Sequence, residues 1–334
     1  MAGLIARRLL ALPVLLLGVS IVVFVVGHLV PGDPARVMAG PFATETDVQR
    51  LRTEYGLDRP LSEQYLGYIV RVVQGDLGTS FRSQRPVAVE LAERLPATLE
   101  LTFTALLIGV PLGLWLGITA ARRQNGLADN AATLGSIVGL SVPIFWVGLM
   151  LAALFGVVLQ WLPFSGRTAP FTELPRITGL IVVDATITGS WATLVDALRH
   201  LVLPAVTLSV VPLALVSRLT RASFIEVLHQ DYIRTASAYG VPEPRIIRRH
   251  AAKNAVLPLV TLIGILVPSL LNGAVLTETV YSWPGVGTLL LSSIAGRDYA
   301  VVQGAALMFA TFYVLANLLV DLSYAWLDPR TREA

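Results

Sequence analysis

The sequence of 334 residues contains no cysteine, a single lysine and only four histidines. Without cysteine the chain has no disulfide bond, no thiolate metal site and no cysteine nucleophile. The lysine, Lys253, lies between Ala252 and Asn254, so the Gly-Lys-Ser/Thr sequence of a phosphate-binding P-loop is missing. No Gly-x-Ser-x-Gly elbow occurs, and no paired metal-ligand spacing is formed by the histidines, which are His28, His200, His229 and His250. The sequence therefore offers no set of catalytic residues that would support an enzyme.

Charge is also scarce. Only 14% of the residues are charged and 54% are hydrophobic, with a mean hydropathy of +0.69, whereas a soluble domain carries about 25% charged residues. The deficit indicates that most of the chain lies in lipid. The net charge of +3 is small, so nucleic acid is not an expected partner.

Apolar runs predict an all-α membrane protein with six transmembrane helices, because a bilayer core of about 30 Å needs about 20 helical residues. The predicted spans are residues 9–30, 97–121, 130–159, 198–219, 255–280 and 301–326. A cleaved signal peptide is the alternative for the first run. Its length, and the absence of an A-x-A site before Pro31, favour a retained helix.

The arginines predict the orientation of these spans. Positive charges accumulate in cytoplasmic loops, and if the helices alternate, one side of the membrane receives most of them. That side holds Arg7 and Arg8, Arg122 and Arg123, the segment 221–254, and Arg330 and Arg332. We therefore expect both termini to be cytoplasmic.

The long segment 31–96 is expected to be extracytoplasmic. Apolar positions at helical spacing within residues 45–75 predict two short helices, separated by a turn at residues 57–61. Two interpretations remain open: a landing surface for a soluble partner, or a folded loop that braces the helical bundle.

The predicted spans carry almost no charge at mid-depth. The ionisable residues lie near predicted helix ends, at Glu100, Asp129, Arg218, Glu278 and Asp321. Proton- and ion-coupled carriers place such groups inside the membrane in spite of the cost, so a proton relay is disfavoured. Glycines every fourth residue, Gly109, Gly113 and Gly117, predict close packing between two helices.

Residues 231–258 form a polar interruption between two apolar runs, on the side predicted to be cytoplasmic. Small residues at the start of the segment predict a helix, which breaks at Gly240 and Pro242 and restarts after Pro244. Four positive charges follow, at Arg245, Arg248, Arg249 and Lys253. The arginines either contact a partner or anchor the segment at lipid headgroups. A membrane pathway without its own energy source needs a cytosolic motor, and this segment is the candidate docking element.

The segment resembles the EAA loop in permease subunits of ABC importers. Ala236 takes the place of the second alanine, Gly240 that of the glycine, and Leu257-Pro258 ends the motif. Arg234 and Thr235 replace the usual glutamate and first alanine, as in the dipeptide/oligopeptide/nickel branch. Other stretches resemble that branch too, namely residues 29–34, 56–61, 75–81, 281–287, 297–299 and 327–330.

The resemblance implies the type I ABC importer permease fold, with an N-terminal helix (1–30), an extracytoplasmic insertion (31–96), a five-helix core (97–326) containing a coupling loop (221–255), and a cytoplasmic tail (327–334). The long insertion is similar to that of the first of two paired permeases in a bacterial inner membrane.

The implied partners are a sister permease, two ATP-binding subunits that hold ATP and magnesium, a solute-binding protein and membrane lipid; the chain itself would need no cofactor and no metal. Peptides are the implied solute. The implied coupling residues are Asp231, Arg234, Thr235, Ala236, Ala238, Gly240, Val241 and Pro242. A stand-alone channel or ion-coupled carrier is the alternative from another class.

Overall fold

The computed structural model describes residues 2–29, 34–40, 42–172 and 174–327, and regular structure in this part of the chain is helical. The single β-bridge in these ranges joins Thr79 to Pro86. In chain order the helices are α1 (Ala2–Leu29), α2 (Pro34–Ala39), α3 (Glu45–Glu54), α4 (Leu61–Val73), α5 (Val87–Arg122), α6 (Leu127–Ser141), α7 (Ile144–Leu151, followed by a π-helical stretch Ala152–Val158), α8 (Ile181–Ile187), α9 (Trp191–Leu228), α10 (Asp231–Ala238), α11 (Glu243–Arg245, followed by a π-helical stretch Ile246–Ala251), α12 (Ala252–Ala255), α13 (Leu257–Val280), α14 (Val286–Ala295) and α15 (Tyr299–Leu327).

Four helices with described side chains are long and apolar enough to cross a membrane, namely α5, α9, α13 and α15, and α6 with α7 makes a fifth span if the pair is counted as one. In α1 the described apolar stretch, Leu12–Val26, is shorter than a span. The α5 and α9 helices, of 36 and 38 residues, extend well beyond the predicted apolar runs. Their additional turns carry charged residues, which a hydropathy criterion leaves out.

The third predicted span is not one continuous helix. The α6 and α7 helices meet at an angle of 103°. Val142, between them, is extended with φ −84° and ψ 129°. Proline disfavours helical geometry in the residue before it and has no N–H for the helical ladder, so Pro143 ends α6 and starts α7. Other prolines within spans lie inside helices that continue through them, namely Pro111 in α5, Pro204 and Pro212 in α9, and Pro268 in α13.

The glycine stripe of α5 packs against α9, as its spacing predicted. A Cβ atom on Gly109, Gly113 or Gly117 would lie 2.9, 2.9 or 2.6 Å from a backbone carbonyl oxygen of α9. The three oxygens belong to residues that are also four apart: Ser209, Leu213 and Ser217. Because real Cβ atoms do not approach so closely, these glycines allow the two backbones to come together, as in other membrane helix pairs.

The described chain divides into two compact units. One contains residues 97–283 together with the end of α15 from Ala316, and the other contains residues 2–96 and 284–315. In the first unit, α9 packs against α6, α7, α8 and α13, and Leu101, Leu208 and Trp283 belong to its main buried cluster.

In the second unit, two short helices follow α1 and α2, as predicted for residues 45–75. Thr44 and Asp47 form a capping box at the start of α3, which satisfies the free N–H groups at that end. The α4 helix packs on α1, where Phe24, Tyr65 and Tyr68 form an aromatic group with ring centroids 5.3–6.4 Å apart. Asp298 accepts hydrogen bonds from the Ser80 hydroxyl, at 2.5 Å, and from the Arg82 backbone.

Candidate functional site

The segment from α10 to α12 has the predicted helix, turn and re-entry. After His229 the backbone becomes extended at Gln230, and α10 then runs from Asp231 to Ala238. Asp231 lies in the first turn, where a negative charge interacts favourably with the helix dipole. The Thr235 hydroxyl donates to the Asp231 carbonyl oxygen at 2.9 Å. The Arg234 and Asp231 side chains lie 3.6 Å apart but are highly exposed, so their attraction contributes little.

The end of α10 is a Schellman motif built on Gly240. Gly240 has a φ of +74°, in the left-handed region that favours glycine. Its N–H donates to the Ser237 carbonyl oxygen at 3.0 Å, and the Val241 N–H donates to the Ala236 carbonyl oxygen at 3.2 Å. These two bonds define the motif, and Ala236 and Val241 both pack against the same buried apolar cluster. The sequence predicted that the helix breaks at Gly240, and the left-handed backbone explains why a glycine is suited to this position.

The turn continues directly into a second helix. Pro242 has a φ of −59°, close to the only value that its ring allows. The sequence predicted that the next helix starts after Pro244. The helix instead begins at Glu243, so Pro244 lies inside its first turn. Proline is tolerated there because a first-turn N–H has no helical partner. The Glu243 carboxylate accepts from Arg122 Nε at 2.8 Å, which links this corner to the end of α5.

A buried apolar cluster holds the segment on the rest of its unit. Ile233 of α10 is buried together with Phe224 of α9 and Ala121 of α5, and the re-entry helices add Ile246 and Ile247. The Asn254 side-chain amide donates to the Tyr232 hydroxyl at 2.9 Å, a further link between α10 and α12. The segment therefore has a fixed position on the ends of α5 and α9.

The predicted coupling residues lie on two faces of this segment. Ala236 and Val241 are half-buried against the chain's own apolar cluster. The others are exposed: Asp231, Arg234, Thr235, Ala238, Gly240 and Pro242. Tyr239, which is 85% exposed, is not among the coupling residues predicted from the sequence. An aromatic side chain beside the motif glycine was the signal that could have identified it, because large exposed aromatic residues are typical of binding surfaces. Arg245, Arg248, Arg249 and Lys253 are also exposed.

The same unit also contains a buried ion pair, Glu100 with Arg167, which was not predicted from the sequence. Glu100 was predicted to lie near the end of a helix. It lies inside α5 instead, because this helix begins at Val87 with several polar turns. Its carboxylate accepts from Arg167 Nη2 at 2.5 Å and from the Val182 N–H at 2.8 Å. The two side chains are only 7% and 11% exposed. The Arg167 guanidinium also lies 5.6 Å from the centre of the Trp283 ring, a distance at which cation–π attraction operates.

The loop that carries Arg167 is fixed at several further points. Arg167 donates to the Gly179 carbonyl oxygen at 3.1 Å, and the Gly166 N–H donates to that of Tyr281 at 3.0 Å. Asp184 accepts from the Thr178 side chain and from the backbone of residues 177–179. Burial would raise the pKa of Asp184, but these hydrogen bonds outweigh it and hold the pKa below its ordinary value of 3.8. The loop is thus an ordered part of the unit.

Glu278 is fully buried at the end of α13 and accepts from the Thr98 hydroxyl at 2.5 Å. At the other end of the unit, Arg221 of α9 makes a two-bond contact with Asp129 of α6, with Nη2 donating at 2.8 Å. Groups of three or more residues suited to holding a metal ion are absent from the described residues. Each of these carboxylates instead has a structural partner within the protein.

Comparison with solved structures identifies the fold. The fold is similar to that of the inward-facing MetNI methionine ABC transporter, with a TM-score of 0.51, 16% sequence identity, and coverage of 72% of this chain and 96% of that chain. At this identity the likeness establishes the fold alone, which is that of a type I ABC importer permease.

Sequence comparison gives the family. Residues 109–333 match the family described as binding-protein-dependent transport system inner membrane component, and residues 1–102 match the corresponding N-terminal family. The chain belongs to this family. It is 44% identical over 334 residues to the dipeptide transport system permease protein of Escherichia coli (strain K12), covering 98% of each chain. It is 41% identical to the protein of the same name from Alkalihalophilus pseudofirmus, again covering 98% of each, and 39% identical to the glutathione transport system permease protein of Salmonella choleraesuis, covering 99% of each.

Family membership has direct consequences. The chain is a multi-pass membrane component of a transport system and not an enzyme, and it works with a solute-binding protein and with separate ATPase subunits. A channel or carrier that acts alone is not favoured.

Proposed function

We propose that this chain is the first permease of a pair, and that with its sister permease it forms a path for the import of short peptides. The similarity to dipeptide permeases over nearly the whole chain carries this proposal, because the match includes the N-terminal region as well as the core. The glutathione relative transports a tripeptide-like solute by its name, which fits the same class. The solute-binding protein would select among peptides.

The coupling segment would receive the ATPase. In this proposal the exposed face of α10 and the Gly240 corner lie against an ATP-binding subunit in the cytoplasm, and both termini are on that side. Three features support the role. The outer face of the segment has no partner among the described residues apart from local contacts. The inner face is fixed by the Ile233 cluster, and the ring of Pro242 restricts the backbone at the corner. A fixed corner transmits a displacement to α5 and α9 instead of absorbing it.

Transport by the reconstituted complex tests the substrate class. Proteoliposomes would contain this chain, the sister permease and both ATPase subunits, with ATP enclosed and the solute-binding protein and a labelled tripeptide outside. We expect peptide uptake that requires both ATP and the binding protein. Absence of ATP- and binding-protein-dependent uptake for every di- and tripeptide tested would exclude short peptides as substrates.

The same vesicles test the alternative. Vesicles that contain only this chain should take up no peptide, with or without a proton gradient, because its buried carboxylates, such as Glu100 and Asp129, are held by structural partners and not free to carry protons. Peptide accumulation in such vesicles would favour an ion-coupled carrier. Equilibration without accumulation would favour a channel.

A further inference from the structure

A cavity of about 480 Å³ lies in the unit formed by residues 2–96 and 284–315. Phe24, Tyr55, Leu57, Tyr68, Leu77 and Phe81 supply its apolar walls. The volume falls within the range of small-molecule sites, which are mostly apolar with a few convergent polar groups. The cavity belongs to none of the elements that form the coupling segment, and on the predicted topology it lies outside the membrane.

Two tyrosines that line this cavity have a buried hydroxyl group. Tyr68 is 7% exposed, and among the described residues its hydroxyl has no hydrogen-bond partner. The Tyr299 hydroxyl, from α15, is also buried and without a partner in the described chain. Buried polar groups are almost always hydrogen-bonded in native proteins. The Tyr68 hydroxyl is neutral at physiological pH and able to donate, and burial raises its pKa further, to about 12.

One face of α4 presents opposite charges to the cavity. Glu63, Gly67 and Arg71 are four residues apart and all line it. At 1.5 Å per residue, the Cα atoms of Glu63 and Arg71 are separated by about 12 Å along the helix. Nothing lies within 4 Å of the position that a Cβ atom on Gly67 would occupy, so the space between the two charges is open. Tyr68 lies on the same stretch of helix.

We propose that this cavity binds a short zwitterionic peptide, with Glu63 at the ammonium end, Arg71 at the carboxylate end, and the Tyr68 hydroxyl on a peptide group between them. An extended chain spans about 3.3–3.6 Å per residue, so two to four residues fit between the two charges. A zwitterionic lipid headgroup places its charges much closer together and offers no peptide groups to the two hydroxyls. The site rests on the proposed function, since it would hold the transported solute before it enters the path.

Binding of a tritiated tripeptide, alanyl-phenylalanyl-alanine, to the complete complex in nanodiscs tests this site. The solute-binding protein is left out so that it does not compete. We expect saturable binding that weakens about tenfold to a hundredfold in Glu63→Gln and in Arg71→Gln, the effect of removing one charge-assisted hydrogen bond. Acetylation of the peptide's amino group should weaken binding to wild type but cause no additional loss in Glu63→Gln.

Arg50→Gln is the matched control, because Arg50 is an exposed arginine of the neighbouring helix α3 that does not line the cavity. It should bind as wild type does. Basal ATP hydrolysis by each complex verifies that the variants are folded and assembled. Tyr68→Phe should lose affinity about threefold to tenfold, as loss of one neutral hydrogen bond implies.

Two results would overturn the site. Peptide binding that is unchanged in both Glu63→Gln and Arg71→Gln would place the peptide elsewhere. Absence of binding at millimolar peptide, with thermal stability that depends on phosphatidylethanolamine in wild type but not in Glu63→Gln, would assign the cavity to lipid. ATP-dependent peptide uptake by the same preparation distinguishes this proposal from the proposed function. If peptide is taken up but does not bind to the cavity, only the site is refuted. If no peptide is taken up, the proposed function is refuted.

Discussion

Replacing Gly240 with alanine should loosen the end of α10 without obstructing any contact within the chain. Nothing lies within 4 Å of the position that a Cβ atom would occupy, so the expected cost is backbone strain alone. Left-handed geometry costs an ordinary L-residue about 1–2 kcal/mol. That corresponds to a factor of about 5–30 in the equilibrium between the closed and opened corner. The Gly240 and Val241 N–H bonds that end α10 are the ones that would open.

Hydrogen–deuterium exchange of the complex measures this opening. In Gly240→Ala, exchange across residues 231–241 should accelerate by about 5–30-fold, and the ratio of peptide taken up to ATP hydrolysed should fall. Gly240→Asn is the matched control, because asparagine tolerates left-handed geometry, and it should show a smaller effect on both measurements. The amount of complex in the membrane should be unchanged in both variants.

Alanine and leucine at position 240 distinguish backbone strain from a steric clash with a partner. If strain is the cause, Gly240→Leu should behave like Gly240→Ala, since the space beside the glycine is open in this chain. Normal exchange and normal coupling in Gly240→Ala, together with lost transport in Gly240→Leu, would show that a partner surface fills that space and that backbone geometry is not the reason for the glycine.

The buried charges give three further predictions, each measured by thermal unfolding of the purified complex. Glu100→Gln removes the counter-charge of buried Arg167 and should cost about 3–5 kcal/mol, part of which the double variant with Arg167→Gln should recover; equal melting temperatures would refute the pair's role. Asp129→Asn should cost less, because Arg221 is partly exposed and can be solvated; a larger loss than in Glu100→Gln would contradict this. Asp184→Asn should be less stable than wild type above about pH 4, and the difference should shrink as the pH falls through the lowered pKa of Asp184; a difference that does not change with pH would exclude a role for the ionised carboxylate.

The sequence was sufficient for the features that depend on period and composition. Apolar length located the long helices, four-residue glycine spacing predicted that α5 packs closely on another helix, and helical spacing predicted α3 and α4. The break at Gly240 could be predicted because a glycine followed by a proline at Pro242 permits few other conformations. These are local properties, and they remain visible without any knowledge of the tertiary structure.

The features that the sequence did not predict depend on contacts between distant residues. Glu100 and Arg167 are 67 positions apart, and neither lies in a recognisable motif. Glu100 was expected near the start of an apolar span, but it lies well inside α5 and its partner is Arg167. The two faces of α10 were also not separable beforehand, since Ala236 and Ala238 are equally small. Only the fold shows that Ala236 packs on its own chain and that Ala238 is exposed.

The 103° break between α6 and α7 is an intermediate case. Pro143 was visible as a possible kink, but transmembrane helices often continue through proline, as α9 and α13 do here. Local sequence therefore could not distinguish a bend from a break. The extended geometry of Val142 is the feature that decides it.

Site-directed cross-linking tests the coupling role of α10 most directly, because the chain contains no cysteine and any thiol introduced into it is unique. Ala238→Cys, on the exposed face of α10, should cross-link to a cysteine-bearing ATPase subunit in the assembled complex, with a yield that changes when ATP is bound. Ser62→Cys, an exposed position at the start of α4, should give no such product. The absence of a cross-link from Ala238→Cys in an actively transporting complex, or an equal product from both positions, would contradict the assignment of this segment as the ATPase contact.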